Sequence, residues 1–341
     1  MWQEDVMQAE GPAYRYRVGA DENGLGPRLG PMIVTAVLAR VNEDGWSIAG
    51  RAPQGALAKR LGDSKQFVAH GDVALGEAWA RVLVQRGAGR TTDATSPDAL
   101  IHAISADDQS TLRSPCPNHV TSQCWSNEGE AFEAEAPLLR SIHNDLDRLA
   151  ARGVEIVAVR SVILCTRRLN DGLLAGKNRF VLDLHAMERL FLDLRDVAGA
   201  EVSAVCGKVG GFGKYSGAFG PLAGRLHAVL EESRARSAYR FPDLGEIAFV
   251  RDGDASDLCV ALASMVGKYV REVLMARVVR HYQREVEGLA SASGYHDPVT
   301  ASFVAATRLV REGRGIPDDC FERRSAEPPL GARRRVRATG S

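Results

Sequence analysis

The sequence has no run of about 18 consecutive apolar residues, the length that a membrane-spanning helix requires. The first residues, Met1 to Pro12, are acidic and contain no apolar core of a secretory signal. The chain also has no net charge, because Lys and Arg together number 43 and Asp and Glu together number 43. Overall charge therefore neither supports nor excludes nucleic-acid binding, and local patches must decide it. We expect a cytoplasmic protein with no membrane partner.

Cysteine is scarce and scattered, with six residues in a chain of 341. This distribution is typical of reduced thiols and differs from the dense disulfide framework of small secreted domains. One group, Cys116, His119 and Cys124, resembles part of a zinc site. Structural zinc sites usually have four ligands, with cysteines in pairs separated by two to four residues. This group offers three ligands, one fewer than such a site needs. Zinc binding by the group is left open.

The sequence lacks a nucleotide-binding P-loop, because the spacing Gly-x4-Gly-Lys-Ser/Thr does not occur. A different glycine-rich loop, Gly207 to Tyr215, follows a predicted strand and carries Lys208 and Lys214. Backbone amides and lysines in such a loop are suited to contact a phosphate group.

What the sequence does contain is a pair of adjacent acids at the end of a predicted strand. An alternating run ends in Val18-Gly19-Ala20 and is followed by Asp21 and Glu22, then by the turn Gly24-Leu25-Gly26-Pro27. Residues 32–38 are rich in Val, Ile and Thr, which predicts a second strand. Carboxylates beside glycines that allow close backbone approach suit a divalent cation and a phosphate-bearing ligand. An ordinary acidic hairpin turn is the alternative interpretation.

Strands alternate with helices along the chain, which predicts an α/β fold with a mixed β-sheet flanked by helices. Further strands are predicted from the apolar runs Val154–Leu164, Val202–Cys206 and Glu246–Val250. Apolar residues at helical spacing predict helices from near Val68 to Val84, then at 131–152, 178–197, 258–279 and 299–311. Asp63 or Ser64 is a candidate N-cap of the first of these helices, and Asp254 or Ser256 of the fourth.

The chain is long enough to bury a sizeable core, and we predict one domain over residues 14–324. Residues 86–130 are rich in Ser, Thr, Pro, Asn and Gly, which indicates an irregular inserted segment, placed around 86–150. The part after the insertion ends in a predicted helical C-terminal region. Residues 325–341 are rich in arginine, a composition typical of disordered tails that add non-specific nucleic-acid affinity.

The order of five short motifs resembles that of the ribonuclease HII family, which has the ribonuclease H-like fold. That family opens with a strand ending in Asp-Glu-x-Gly-Arg-Gly-Pro, followed by Asp-Ser-Lys and then by a helix with an Ala-Met pair. Its fourth acid lies ten residues before the serine of an Ala-Ser-Ile-x-Ala-Lys helix, the same spacing as here, and a Gly-Tyr pair follows. The matching residues are Asp21, Glu22, Gly24, Gly26 and Pro27; Asp63, Ser64 and Lys65; Ala186 and Met187; Asp254 with Ala263, Ser264, Met265 and Lys268; and Gly294 and Tyr295. The resemblance spans roughly residues 14–312 and is that of a divergent member.

The resemblance implies an endoribonuclease that hydrolyses the RNA strand of RNA–DNA hybrids or cuts at ribonucleotides embedded in DNA. It implies Mg²⁺ or Mn²⁺ held by carboxylates, to activate water and stabilise the leaving oxygen. On the family pattern, the catalytic and metal-binding residues are Asp21, Glu22 and Asp254. Substrate binding is assigned on the same pattern to Gly24, Leu25, Gly26 and Tyr295 at the ribose 2′-hydroxyl. Lys65, Ser264 and Lys268 are assigned either a place near the substrate phosphates or a supporting role in the site. The resemblance also suggests a monomer.

Two positions depart from the family pattern. Leu25 stands where the family has an arginine, which removes one phosphate contact but leaves the backbone contacts of the turn. Cys206 stands where a third aspartate should end a strand. A thiol is mostly protonated near neutral pH and is a soft ligand that Mg²⁺ disfavours. Asp183, Asp252 and Asp257 are candidates to substitute, although none lies where the pattern requires an acid.

Two other functions are left open. The first is a catalytically impaired ribonuclease HII-like protein that binds hybrid or structured nucleic acid through Lys208, Lys214, Lys268 and the arginine-rich tail. Cys206 is the feature that favours it. The second is an unrelated α/β enzyme with acidic loops, against which the ordered motifs argue. We favour the nuclease because three acids of the family pattern are present.

Overall fold

A seven-stranded β-sheet forms the centre of the protein. The computed structural model describes residues 15–87, 94–117, 123–210 and 212–324. The strands are β1 (Arg15–Asn23), β2 (Met32–Val41), β3 (Val154–Leu164), β4 (Val202–Gly207), β5 (Ala228–Glu232), β6 (Arg236–Phe241) and β7 (Gly245–Val250). Their order across the sheet is β3-β2-β1-β4-β7-β6-β5.

The sheet is mixed, and its parallel part brings three strand ends together. β1, β2 and β3 form an antiparallel meander, and β5, β6 and β7 form another. Between them, β4 runs parallel to both β1 and β7, with Ala20 opposite Cys206 and Cys206 opposite Phe249. Because parallel strands end at the same edge of a sheet, Asp21, the end of β4 and the loop after β7 are neighbours.

Helices cover both faces of the sheet, as the α/β prediction requires. They are α1 (Glu43–Ala49), α2 (Ala74–Arg86), α3 (Pro97–Ile104), α4 (Gln109–Arg113), α5 (Ala136–Ala150), α6 (Thr166–Leu174), α7 (Arg179–Ala198), α8 (Leu258–Gln283), α9 (Pro298–Ala306), α10 (Arg308–Gly313) and α11 (Asp318–Phe321). On one face, α2, α5 and α8 bury Trp79 and Leu262 against Ile33 of β2. On the other face, α7 buries Leu184 and Phe191 among residues of β1, β2 and β4. The predicted fold class, a mixed sheet flanked by helices, is confirmed.

Helix α8 is the central helix of the molecule. It is buried around almost its whole circumference, with charged side chains among the buried ones, as expected for a helix enclosed by protein. Asp257 caps it, because its Oδ1 accepts hydrogen bonds from the amides of Cys259 (2.9 Å) and Val260 (3.0 Å). Neither Asp254 nor Ser256 is therefore the cap, and Asp254 lies in the short turn that precedes the helix.

Strand β1 and the start of α8 lie in unusually close contact. A Cβ atom at Gly19 would stand 2.2 Å from the carbonyl carbon of Cys259 and from the amide nitrogen of Val260. The Nε of Arg17 donates a hydrogen bond to Oδ2 of Asp257 at 2.9 Å, and both side chains are buried. The absence of a side chain at Gly19 is thus what allows the helix to approach the strand.

Some elements differ from the prediction. The helix predicted from near Val68 begins at Ala74, because Asp63 caps a separate short turn over 64–66. The inserted segment is less irregular than predicted, since it contains α3 and α4, each capped by a polar side chain. The predicted last helix is divided at Thr307 into α9 and α10.

Helix α6 and the hairpin of β5 and β6 were not predicted. Strand β5 has the burial pattern of an edge strand, with Val229 and Leu230 about half exposed. A strand whose apolar residues do not alternate with polar ones gives no period-two signal.

The cysteine predictions are only partly tested. All six cysteines are free thiols. Cys116 and Cys124 are partly buried, and His119 lies outside the described residues. In the described parts of the chain, no group of three or more His, Cys, Asp or Glu side chains could hold a metal ion as it stands. Zinc binding by this segment therefore stays open.

The chain termini leave two predictions untested. The basic tail 325–341 lies outside the described residues, as does residue 14, so the domain boundaries stay predictions. Among the described helices, none combines the length and the apolar character needed to cross a membrane.

Because of the close contact at Gly19, we expect a glycine-to-alanine change there to lower the free energy of unfolding, the opposite of its usual effect in a strand. In a strand interior, replacing glycine normally stabilises by about 0.5–1 kcal/mol, because the unfolded chain loses freedom. At Gly19 we expect Ala to lower the free energy of unfolding by about 3 kcal/mol, because helix α8 must move away. Urea unfolding followed by circular dichroism measures it. The control is Gly213→Ala, where a Cβ meets nothing within 4 Å; equal stabilities for the two variants would contradict the prediction.

Candidate active site

Two adjacent acids at the end of β1 form one wall of the candidate site. The pKa of Asp21 is raised to about 8, chiefly by removal from water and in smaller part by the charges of Glu22 and Asp254. The nearby hydroxyl of Ser264 opposes this rise, while it donates its own hydrogen bond to Oγ of Ser64 at 2.9 Å. Burial also raises the pKa of Glu22, whose Oε1 accepts a hydrogen bond from the amide of Leu25 at 2.8 Å. That hydrogen bond ties the second acid to the glycine turn.

Asp254 approaches the same site from the far side of β4. It lies in the short turn after β7, where Asp252 adopts the left-handed conformation with φ of 52°. Asp254 is partly buried, and burial together with the charge of Asp63 raises its pKa. The parallel pairing of β1, β4 and β7 is what brings this acid beside Asp21.

One open cavity of about 410 Å³ collects every site residue that the sequence predicted. Its lining includes the three acids of the family pattern and the predicted substrate-binding residues Gly24, Leu25, Gly26, Lys65, Ser264, Lys268 and Tyr295. These residues come from five separate segments of the chain, so their convergence is a property of the fold and not of sequence proximity.

The glycine turn is held in place by the Gly294-Tyr295 loop. Gly24 has φ of 100°, and a Cβ there would stand 2.8 Å from the carbonyl oxygen of Pro31. The amides of Arg28 and Leu29 both donate to the carbonyl of Gly294, at 2.8 and 3.0 Å. The two motifs predicted to contact the ribose are therefore joined directly by backbone hydrogen bonds.

The positive charges near the cavity are mostly engaged by protein groups. Lys268 donates to Oε1 of Glu272 at 2.5 Å, and the ring of Tyr295 lies over Lys268 and Arg271, at 5.9 and 4.6 Å. Lys65 is exposed at the rim. Its charge and those of two arginines lower the pKa of Glu22, against the larger effect of burial. Lys65 is thus the predicted cation best placed to meet a ligand.

The glycine-rich loop after β4 is only partly directed at the cavity. Lys208 lines the cavity, but its Nζ donates to the carbonyl of Ser233 at 2.8 Å and to Oγ of Ser237 at 3.1 Å. Lys214 is exposed and lies 3.5 Å from Glu232. The predicted phosphate contact by this loop stays a prediction.

Sequence reasoning missed the buried arginines under the site. Arg323 donates to the carbonyls of Gly24 (2.5 Å) and Gly30 (2.8 Å), and burial lowers its pKa to about 9. Arg271 is fully buried and donates to Glu272 and to the carbonyl of Ser293. No local pattern marks these residues, because the carbonyls that they contact are distant in sequence, although Arg271 also pairs with the adjacent Glu272. They support the walls of the cavity from behind.

The structure shows where Cys206 and the three acids considered as its substitutes lie. Cys206 is 1% exposed and packs in the core against α7, so it does not line the cavity, and burial raises the pKa of its thiol well above the usual range. Asp257 is engaged by Arg17 and by the start of α8. Asp252 and Asp183 both line the cavity.

The donor chemistry of the cavity suits Mg²⁺ or Mn²⁺, which prefer carboxylate oxygens. Asp183 lies in the same lining, and its Oδ1 is buried without a hydrogen-bond partner. As the side chains stand, however, no group of three or more acids, histidines or cysteines among the described residues could hold a metal ion. Metal binding here is therefore a proposal, supported by the kind of donor and by the unpartnered oxygen.

Because Arg323 holds the glycine turn, we expect removal of its side chain to make that turn more mobile. In Arg323→Ala, the carbonyls of Gly24 and Gly30 lose a charged donor, a kind of hydrogen bond that contributes about 1.5–3 kcal/mol. We expect faster amide hydrogen exchange in residues 22–30 and a lower melting temperature. Arg324→Ala is the control, because the Arg324 side chain pairs with Asp319 at the surface. Equal exchange rates in the two variants would show that Arg323 does not hold the turn.

No family model and no curated protein matches the chain. Among solved structures, it is similar to Bst-RNase HIII in complex with Mn²⁺, with 13% identity and a TM-score of 0.40, over 90% of this chain and 66% of that one. It thus spans slightly less than two thirds of that relative. It is also similar to the RNase HII of a PCNA complex from Archaeoglobus fulgidus, with 14% identity and a TM-score of 0.37, over 92% and 98% of the two chains. It is similar as well to the ribonuclease H2 of Pyrococcus horikoshii, with 11% identity and a TM-score of 0.34, over 90% of this chain and 92% of that one. Likenesses of this size carry no argument about activity, which must rest on the chain's own residues.

Proposed function

We propose that the protein is a metal-dependent endoribonuclease of the ribonuclease HII family. It would hydrolyse the RNA strand of RNA–DNA hybrids or cut at ribonucleotides embedded in DNA. The observation that carries this proposal is the convergence of the predicted acids and substrate-binding residues on one cavity. An acidic hairpin turn alone would not bring Asp254 and Tyr295, which are more than 200 residues away in sequence, to Asp21 and Glu22.

In this proposal the three acids of the family pattern have one shared role. Asp21, Glu22 and Asp254 bind divalent cations, Mg²⁺ or Mn²⁺, through oxygens that are poorly solvated and so favour a bound positive charge. The bound ions would supply an activated water and stabilise the oxygen that leaves the phosphate. The amide of Leu25 orients Glu22 through its hydrogen bond to Oε1.

The opposite wall of the cavity would bind the sugar and the phosphates. The glycine turn brings backbone groups to the surface beside Tyr295, a combination suited to a ribose with a 2′-hydroxyl. Lys65 is exposed at the rim and is free to approach a phosphate as a point charge. Leu25 gives the turn no charge of its own, so Lys65 carries more of that role than the family pattern requires.

The alternative is a nucleic-acid-binding protein without activity. It rests on Cys206, on Lys208, Lys214 and Lys268, and on the arginine-rich tail, which lies outside the described residues. Two of these lysines are already engaged, since Lys208 donates to Ser233 and Ser237 and Lys268 donates to Glu272. The arrangement therefore favours the nuclease, and the same experiment separates the two functions.

We expect the full chain to cleave a labelled DNA duplex that carries one ribonucleotide, or an RNA–DNA hybrid, in Mg²⁺ or Mn²⁺. Asp21→Asn should lower the cleavage rate by more than about 100-fold, because loss of a mere outer-shell partner already costs up to about that factor. The control is Asp44→Asn, an exposed acid of α1 that lies outside the cavity.

Three outcomes of this assay differ in meaning. Cleavage that Asp21→Asn abolishes and Asp44→Asn preserves supports the proposal. Tight binding of the hybrid without cleavage in either metal ion would favour the binding protein. Cleavage that survives Asp21→Asn would show that the activity does not use this site.

A further inference from the structure

We propose that Asp183 of α7 supplies the carboxylate that the strand position Cys206 lacks, and that it is a ligand of the divalent cations in this cavity. The inference rests on the proposed function in assuming that the cavity binds such cations. It adds a residue from a helix to a site that the motif pattern assigns to strand ends and to the turn before α8.

The need for another donor follows from the position of Cys206. Its backbone pairs with Ala20, next to Asp21, but its side chain turns into the core on the α7 side of the sheet. A buried protonated thiol offers neither a charge nor a hard oxygen to a divalent cation. The site is therefore one carboxylate short at this strand.

Asp183 lies next to the place where this carboxylate is missing. It is 1% exposed and lines the cavity together with Met187, one helical turn further along α7. Its Oδ1 is buried without a hydrogen-bond partner. A buried polar oxygen without a partner is destabilising unless something absent from the free chain binds it.

The charges around Asp183 indicate what would bind it. The charged groups that act on it are the carboxylates of Glu22 and Asp21, and Cys206 is its thiol neighbour. Three acids that face one another in a poorly solvated cavity repel, and a cation between them removes the repulsion. This set of oxygens, on β1 and α7, is suited to Mg²⁺ or Mn²⁺.

The two other acids near the deficit are less suitable. Asp257 already accepts hydrogen bonds from Arg17 and from the first amides of α8, so its oxygens are engaged. Asp252 is exposed at the edge of the cavity, and water already solvates it. Of the three candidates, Asp183 alone is both buried and without a partner at one oxygen.

The test measures Mn²⁺ binding by the full chain without substrate. Binding is detected as the loss of the electron paramagnetic resonance signal of free Mn²⁺. The variants are Asp183→Asn, Cys206→Asp and their combination. We expect Asp183→Asn to weaken Mn²⁺ binding at least about tenfold. We expect Cys206→Asp to restore most of that loss in the double variant, because it returns a carboxylate to the neighbouring strand.

Asp193→Asn is the matched control. Asp193 lies on the same helix, is partly exposed 3.6 Å from Arg189, and does not line the cavity. Thermal melting in metal-free buffer checks folding, and Asp183→Asn should melt no lower than the unaltered chain, since the unpartnered carboxylate is removed. Added Mn²⁺ should raise the melting temperature of the unaltered chain and of Asp193→Asn more than that of Asp183→Asn.

The outcomes for Asp183 and for the proposed function are separable. Equal Mn²⁺ affinity in Asp183→Asn and Asp193→Asn would overturn the role of Asp183 even if the protein cleaves hybrids. No Mn²⁺ binding by the unaltered chain would overturn it as well. Binding that depends on Asp183, in a protein that cleaves no hybrid, would support this inference and contradict the nuclease. If the double variant fails to fold, the comparison of the two single asparagine variants decides.

Discussion

The close contact between β1 and the start of α8 determines the geometry of the site. It depends on the missing side chain at Gly19 and on the buried pair of Arg17 and Asp257. Because α8 cannot slide along the strand without breaking both, the turn just before it is fixed relative to the end of β1. Asp254 lies in that turn and Asp21 at that strand end, so a packing contact on one face of the sheet sets the separation of two acids at its edge. The chemistry of the cavity thus depends on core packing as much as on the acids.

Charge is distributed unevenly around the cavity. The acids of β1 and α7 face one another without a nearby lysine or arginine in direct contact among the described residues, whereas the lysine and arginine of α8 are paired with Glu272. A hydrogen bond with His70, together with Arg271 and Lys268, lowers the pKa of Glu272 to about 2, despite its burial. Glu272 thus offsets much of the charge of these two cations, although Arg271 still lowers the pKa of Glu22.

Much of the sheet could be predicted from the sequence, because β2, β3 and β4 are buried and read as apolar runs. The hairpin of β5 and β6 could not, since its exposed strand carries no such pattern. The motifs could point to the acids and to the glycine turn because these residues are adjacent or nearly so along the chain. The carbonyl partners of Arg271 and Arg323 could not be found, because only the tertiary structure brings these backbone groups to the arginines. From the sequence, Asp183 is only one of three candidates to replace the missing aspartate, because an acid in an amphipathic helix is usually solvated.

The hydrogen bonds from Arg323 to the glycine turn have a consequence for the order of folding. They join residues that are 299 positions apart, Gly24 and Arg323. During synthesis, β1 and its turn leave the ribosome early, while the side chain that anchors the turn is among the last described residues to emerge. Contacts of such large sequence separation form slowly, because the intervening chain must first be ordered. The glycine turn should therefore become rigid only after the rest of the domain has folded, which keeps the nascent cavity incomplete until the fold that supports it exists.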